Sequence, residues 1–211
     1  MPERTPSGKL IGVLISGRGS NLVAILDRID AGGLDARVAL VISNEPAAAG
    51  LAAARARGVP TLVVDHRKRA TREEHDREMA RALEAAGARL ICLAGYMRLL
   101  SGWFVDRFKG RIMNIHPSLL PSFPGTAAQR QALESGVKVS GCTVHFVDEK
   151  VDSGPIILQE AVPVLDGDTP EALEARILEA EHQVYSRAIA LFLSGSLRLA
   201  GRRVLLAAPA G

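Results

Sequence analysis

The sequence predicts an α/β fold of Rossmann-like type: a mostly parallel central sheet with helices on both faces and a mixed C-terminal half. Two observations carry this expectation. Through the first half, short and continuously apolar runs alternate with helical stretches, as strands buried on both faces do. In the second half two β-rich runs, 139–147 and 155–162, succeed one another through the turn-rich segment 148–154 with no helix between them.

The elements are taken in chain order. Residues 9–16 read as a strand, 21–31 as a helix stopped by Gly32-Gly33, 36–42 as a strand, 47–57 as a helix closed by Gly58, and 61–64 as a strand. Thr71-Arg72-Glu73-Glu74 is a capping box that opens a helix to residue 86, with Gly87 as its stop; 90–94 is the next buried strand. Arg111-Ile112-Met113 reads as a strand leading into a loop, and 129–135 as a short helix. Asp168-Thr169-Pro170-Glu171 caps a long helix to about residue 193, with Pro170 near the first helical position. Segment 197–206 is expected to be at most a weak strand, and 207–211 a loose tail.

A chain of 211 residues suits one domain, 1–211, large enough to bury roughly 70% of its unfolded surface. Aromatic residues make up 4% of it, too few to stack single-stranded nucleic acid, and a net charge of +3 with scattered arginines attracts small anions but does not argue for DNA or RNA. Two cysteines, Cys92 and Cys142, lie in apolar strand runs, which predicts a reduced, cytoplasmic protein with buried thiols. The apolar run from Leu10 to Ile15 continues into Ser16-Gly17-Arg18-Gly19, so it reads as a strand and not as a signal peptide, and no run reaches the ~20 residues of a membrane span.

Chemistry concentrates in Asn114-Ile115-His116-Pro117-Ser118-Leu119-Leu120-Pro121. Asn114 and His116 are two apart, so in extended backbone an amide and an imidazole leave the same face, and Pro117 and Pro121 stiffen the loop beyond them. A histidine placed this way serves either as a hydrogen-bonded structural residue or as a catalyst. Gly17-Arg18-Gly19-Ser20-Asn21 opens a helix directly after the first strand, where backbone N–H groups favour an anion. It lacks the third glycine of a dinucleotide fingerprint, so it fits a monophosphate or is a tight turn without a ligand. Val151-Asp152-Ser153-Gly154-Pro155-Ile156 sets a carboxylate on a turn before a strand, and an Asp there is ordinarily turn chemistry. The remaining histidines, His66, His75, His145 and His182, have no metal-ligand spacing, and neither HExxH nor Gly-x-Ser-x-Gly occurs.

Together with Leu93-Ala94-Gly95-Tyr96-Met97-Arg98-Leu99-Leu100, these motifs resemble, in order and in register from about residue 9 to 196, the phosphoribosylglycinamide formyltransferases, folate-dependent enzymes of purine synthesis. The resemblance implies a formyltransferase fold with a nucleotide-phosphate lobe at 9–113, a catalytic and folate lobe at 114–196, and a C-terminal tail at 197–211. It implies transfer of formyl from 10-formyltetrahydrofolate, a co-substrate, to the amine of glycinamide ribonucleotide, with no metal, no nucleic acid, no membrane, and a monomer or homodimer. It implies a catalytic group of Asn114, His116 and Asp152, a phosphate held by Gly19, Ser20 and Asn21, and a ribose bound by Glu181. Arg72, Met97, Arg98, Leu99, Leu100, Asn114, Asp148, Glu149, Lys150, Val151 and Asp152 are implied to line the folate site.

The chemistry of that reaction is consistent with these residue types. An amine attacking a formamide carbon creates a negative oxygen that needs donors, and a proton must pass from the attacking nitrogen to the departing one. Leu93, Met97, Leu99, Leu100 and Val147 are candidate walls of an apolar slot for a flat pterin, or ordinary core. The stretch Thr126-Ala127-Ala128-Gln129 departs from the histidine-bearing pattern of some members of the family, which removes an imidazole contact from that loop. The rival readings are a formyltransferase acting on aminoacyl-tRNA or a nucleotide sugar, a deformylase that passes formyl to water, and a non-catalytic nucleotide sensor. The tRNA enzyme would be expected to carry an additional C-terminal basic domain and the deformylase an N-terminal regulatory one. Arg202 and Arg203 read as solvated surface.

Overall fold

A computed structural model describes residues 9–206; the expected tail at 207–211 lies outside the described residues. Strands are arranged in the order β3-β2-β1-β4-β5-β6-β7, with a separate β8-β9 pair. The chain divides into two compact units at Ile112/Met113.

The first unit holds β1 (Leu10–Ile15), α1 (Ser20–Asp30), β2 (Arg37–Ser43), α2 (Ala49–Ala56), β3 (Thr61–Val63), a 3-10 turn (His66–Lys68), α3 (Arg72–Ala85), β4 (Leu90–Leu93) and α4 (Gly102–Arg107). Strand β1 runs parallel to β2 on one side and to β4 on the other, and β2 runs parallel to β3. All four residues of β4 are buried, which accounts for its unbroken apolar sequence. Leu22, Ile25 and Leu26 of α1 and Met79 and Leu83 of α3 are buried at helical spacing, so each helix seats one stripe. The capping box at α3 forms in a shifted version. Thr71 accepts from the Glu74 N–H at 3.1 Å, but the Glu74 carboxylate accepts from Ala70 N–H, also at 3.1 Å, one residue earlier than the usual partner. The sequence reading did not anticipate α4 or the 3-10 turn, each short enough to show no periodicity; Ser101, which accepts from Phe104 N–H at 3.3 Å, was the available N-cap signal for α4.

The second unit holds the rest of β5 (Ile112–His116), α5 (Ala128–Glu134), β6 (Val139–Phe146), β7 (Ile156–Pro163), α6 (Pro170–Leu193), β8 (Leu197–Ala200) and β9 (Arg203–Leu206). Here pairing is antiparallel, β5 with β6 and β6 with β7, which is the mixed half expected. Helix α6 buries Leu173, Ile177, Val184, Tyr185, Ala188 and Ile189, and the Tyr185 hydroxyl donates to Met113 O at 3.1 Å. Two expectations are corrected. Strand β5 does not stop at Met113 but runs through His116, so Asn114 and His116 sit on a strand and not on the loop after it. Segment 197–206 is a hairpin of two paired strands, not one weak strand, closed by a two-residue loop in which Gly201 has φ +60°.

The entry to α6 is pinned by charge. Asp168 accepts from Leu165 N–H at 2.8 Å and takes both terminal nitrogens of Arg176 at 2.7 and 2.9 Å, a bidentate pair. The Arg176 hydrogen bonds and the Leu165 N–H hold the Asp168 carboxyl down to about 2, from an ordinary 3.8. A carboxyl lowered on folding contributes stability above its unfolded value and loses it as pH falls through the folded one. Asp168→Asn should therefore be less stable than wild type at neutral pH in denaturant titrations, and the gap should close as pH is lowered from 3.8 toward about 2. A gap that stays constant across that window would assign the loss to shape instead of charge.

Candidate functional site

In the second unit, period-two geometry along β5 and its antiparallel register with β6 bring four polar side chains together. Asn114 lies opposite His145 and His116 opposite Thr143, so the amide and imidazole of β5 share a face with the imidazole of β6. The turn at 148–154 brings in the fourth, Asp152. Asp152 Oδ2 lies 3.3 Å from His116 Nδ1, and Oδ1 lies 3.4 Å from Asn114 Nδ2 and 3.7 Å from His145 Nε2. The backbone N–H of Gly125 donates to Asp152 Oδ2 at 2.8 Å.

Hydrogen-bond chemistry fixes the roles. His116 Nε2 lies 2.8 Å from the carbonyl of Phe123, which can only accept, so that nitrogen carries a proton and Nδ1 is the one presented to Asp152. His145 Nδ1 faces the Phe146 carbonyl at 2.9 Å and therefore donates there; Nε2 accepts from Asn114 Nδ2 at 3.2 Å in the neutral ring and turns an N–H toward Asp152 when the ring is charged. The Asn114 nitrogen is turned toward Asp152 because an ionised carboxylate offers only acceptors. Burial pushes the Asp152 carboxyl up, but the His145 hydrogen bond, the Gly125 N–H and the charges of His116 and His145 outweigh it and hold the group below its ordinary value. The result is a mostly buried carboxylate ringed by donors.

The turn that carries Asp152 is tightly specified. Asp152 itself adopts φ +48°, uncommon for a residue with a side chain. Asp148 accepts from Lys150 N–H at 3.0 Å and from the Ser153 hydroxyl at 2.8 Å, closing the turn on itself. Gly154 passes so close to β6 that a Cβ there would lie 1.7 Å from the Phe146 carbonyl oxygen. The loop before α5 carries Thr126-Ala127 and leads into Ala128-Gln129. It enters that helix through Ala127 at φ +59°, and Gln131 Nε2 donates to Thr126 O at 2.8 Å. Glu181 is buried on α6, and its charge, after burial itself, helps push the Cys142 thiol up to about 12, so Cys142 stays protonated and unreactive.

In the first unit, the turn 17–21 joins β1 to α1. Gly19, at φ +74°, precedes Ser20 as the helix cap; no side chain caps the helix, and no acidic residue occupies its first turn, so the N-terminal N–H groups are not shielded by a carboxylate. Residues 97–100 are held at both ends, Met97 N–H to Ser16 Oγ at 2.8 Å and Ser101 N–H to the buried Asp76 at 2.6 Å. Met97 and Leu99 are 78% and 56% exposed, whereas Leu93 is buried, so of the five candidate slot residues Leu93 is core. Arg98 is half-buried beside the Tyr96 hydroxyl, and Arg72, the first residue of α3, is exposed.

The residue missed by sequence reasoning is His145. Its alternation with Val144 and Phe146 showed which face it occupies, but only the register with β5 shows that this face is that of Asn114. Among the described residues no group of three or more His, Cys, Asp and Glu side chains is arranged to hold a metal ion, and no helix is long and apolar enough to cross a membrane.

Residues 9–189 match the formyl transferase family. A structure of glycinamide ribonucleotide transformylase 1 from Symbiobacterium toebii superposes with a TM-score of 0.92 at 56% identity, covering 94% of each chain. The phosphoribosylglycinamide formyltransferase of Escherichia coli is 43% identical over 189 residues, 90% of this chain and 89% of its own length. The trifunctional purine biosynthetic protein adenosine-3 of Drosophila melanogaster is 54% identical over 190 residues, and there the chain spans only 14% of the relative's length. With the likeness running through nearly the whole of both the Escherichia coli enzyme and this sequence, the chain belongs to the phosphoribosylglycinamide formyltransferase family.

Proposed function

We propose that this chain transfers the formyl group of 10-formyltetrahydrofolate to the amine of glycinamide ribonucleotide, giving formylglycinamide ribonucleotide and tetrahydrofolate in purine synthesis. The observation that carries the proposal is the cluster of Asn114, His116 and Asp152, whose carboxylate lies 3.3 Å from the His116 imidazole, in a chain of this family. Both substrates are small molecules. Two buried free thiols, Cys92 and Cys142, suit the reducing cytoplasm as the place of the reaction.

In the proposed reaction the amine nitrogen bonds to the formyl carbon, the C=O π pair moves onto oxygen, and a tetrahedral adduct forms. That oxygen takes hydrogen bonds from the Asn114 amide and, in the protonated ring, from His116 Nδ1–H, which it shares with Asp152. The Asn114 contact to Asp152, at 3.4 Å, is longer than an ordinary hydrogen bond, so a full negative oxygen competes for it successfully. Asp152 accepts the proton of the now cationic nitrogen, directly or through water, and passes it to the folate nitrogen. The C–N bond to folate breaks as the carbonyl re-forms, so no proton or electron pair is left over. In the same reading Gly19, Ser20 and Asn21 hold the phosphate and Glu181 the ribose. Arg72, Met97, Arg98, Leu99, Leu100 and the turn residues Asp148, Glu149, Lys150, Val151 and Asp152, with Asn114, serve the folate. The lobes then divide the work, phosphate on 9–113 and chemistry on 114–196.

An absorbance assay of 10-formyltetrahydrofolate consumption tests the reading. Loss of formyl only when glycinamide ribonucleotide is present is the expected result; loss in its absence would make the chain a deformylase, and no loss in either case a binding module. His116→Ala and Asp152→Asn should each lower kcat by ~10²-fold or more with nucleotide affinity nearly unchanged. Near-normal turnover in either variant would remove that residue from the mechanism. For the phosphate turn, Ser20→Asp places a negative charge where the phosphate is held and should raise the nucleotide Kd by ~10-fold or more. Unchanged binding would take the turn out of the site.

A further inference from the structure

The hairpin of β8 and β9 lies beyond residue 189, where the match to the formyl transferase family ends, and the roles proposed above make no use of it. Its loop residue Arg202 nevertheless reaches the turn that carries Asp152, where its guanidinium donates to the backbone carbonyl of Ser153, the next residue along. Hairpin and turn face each other across a cavity of about 550 Å³, lined among others by Leu120, Val151, Asp152 and Arg202. We propose that Arg202, reaching across from the C-terminal hairpin, is a positioning residue for Asp152. This rests on the reading of Asp152 as the proton carrier.

The physical need for such a contact is local. Asp152 is held at φ +48°, a conformation that is unfavourable for a residue with a side chain and persists only where its surroundings impose it. On the side of Asp152 toward the chain start, the turn is closed by Asp148. On the other side, Ser153 is tied through its hydroxyl to that same Asp148, and Gly154 passes close against Phe146. The carbonyl of the peptide linking Ser153 to Gly154 is held by the Arg202 guanidinium. A guanidinium on that carbonyl fixes its direction, and with it the backbone next to Asp152. The carboxylate must stay within hydrogen-bond reach of His116 and Asn114, and a displacement of ~1 Å at a reacting group can cost ~10²-fold.

The test uses the full-length protein and three hairpin variants, with kcat at saturating substrates, nucleotide Kd, and amide hydrogen exchange of residues 149–154 as readouts. Arg202→Ala should lower kcat by ~3- to 10-fold, leave nucleotide Kd unchanged, and speed exchange in the turn, as expected for loss of one charge-assisted hydrogen bond to backbone. Arg202→Lys, which keeps a donor, should recover most of the rate. Arg203→Ala, which removes an equal charge from the same hairpin, should behave as wild type. Unchanged kcat and exchange in Arg202→Ala would overturn the proposal, as would an equal loss in Arg203→Ala, which would point to diffuse charge or to hairpin stability. Asp152→Asn, measured alongside, separates the two readings: if it keeps its turnover, the role of Asp152 fails, and the exchange data still decide whether Arg202 holds the turn.

Discussion

One mostly buried carboxylate sets the requirements of the second unit. Charge taken out of water is tolerated only when its oxygens find donors, and Asp152 meets this with a backbone N–H and an amide, and with two imidazoles beside them that donate when protonated. Each donor demands something of the chain. Gly125 must bring its N–H across from the loop before α5, and β5 must run straight through His116 so that Asn114 and His116 point the same way. The β5–β6 register must also place His145 opposite Asn114. A shift of one residue in that register would send His145 to the other face and leave the carboxylate short of partners.

The two imidazoles serve the carboxylate differently, although the residue type is the same. His116 presents Nδ1 to Asp152 because its Nε2 is committed to the Phe123 carbonyl, and His145 presents Nε2 because its Nδ1 is committed to Phe146. In each case a backbone carbonyl selects the tautomer, so the orientation of the ring does not depend on a ligand. Asn114 then bridges, one N–H toward His145 and one toward Asp152. Preorganisation of this kind comes from main-chain geometry, which is why the cluster sits on paired strands and a closed turn.

Much of this was legible in the sequence where the signal is local. The alternation of Asn114 with His116, the N-cap at Thr169 with Pro170, and the apolar run of β4 depend on the next few residues, and the structure shows each as read. The features that sequence did not show are either long-range or very short. His145 looks like any residue of a buried strand until β5 is placed beside it. Leu197 to Leu206 carries two four-residue strands, too brief to show period two, and only Gly201 hints at the reversal. The apolar run ends at Met113, so the strand reads shorter than it is; the extended backbone that Pro117 imposes on the residue before it carries β5 on through His116.

The charge state of Asp152 also bears on the order of events in the proposed transfer. A carboxylate held below its ordinary pKa is a poor base toward a free amine, whose proton is far too weakly acidic for it to remove. Toward the cationic nitrogen of a tetrahedral adduct the balance changes, because that proton is far more acidic than one on a neutral amine and can be passed on to the departing folate nitrogen. Attack therefore comes first and proton transfer second, and the donors that lower the Asp152 pKa do not defeat its role. They keep it ionised across the neutral range, ready for a proton that becomes available only after the new C–N bond has formed.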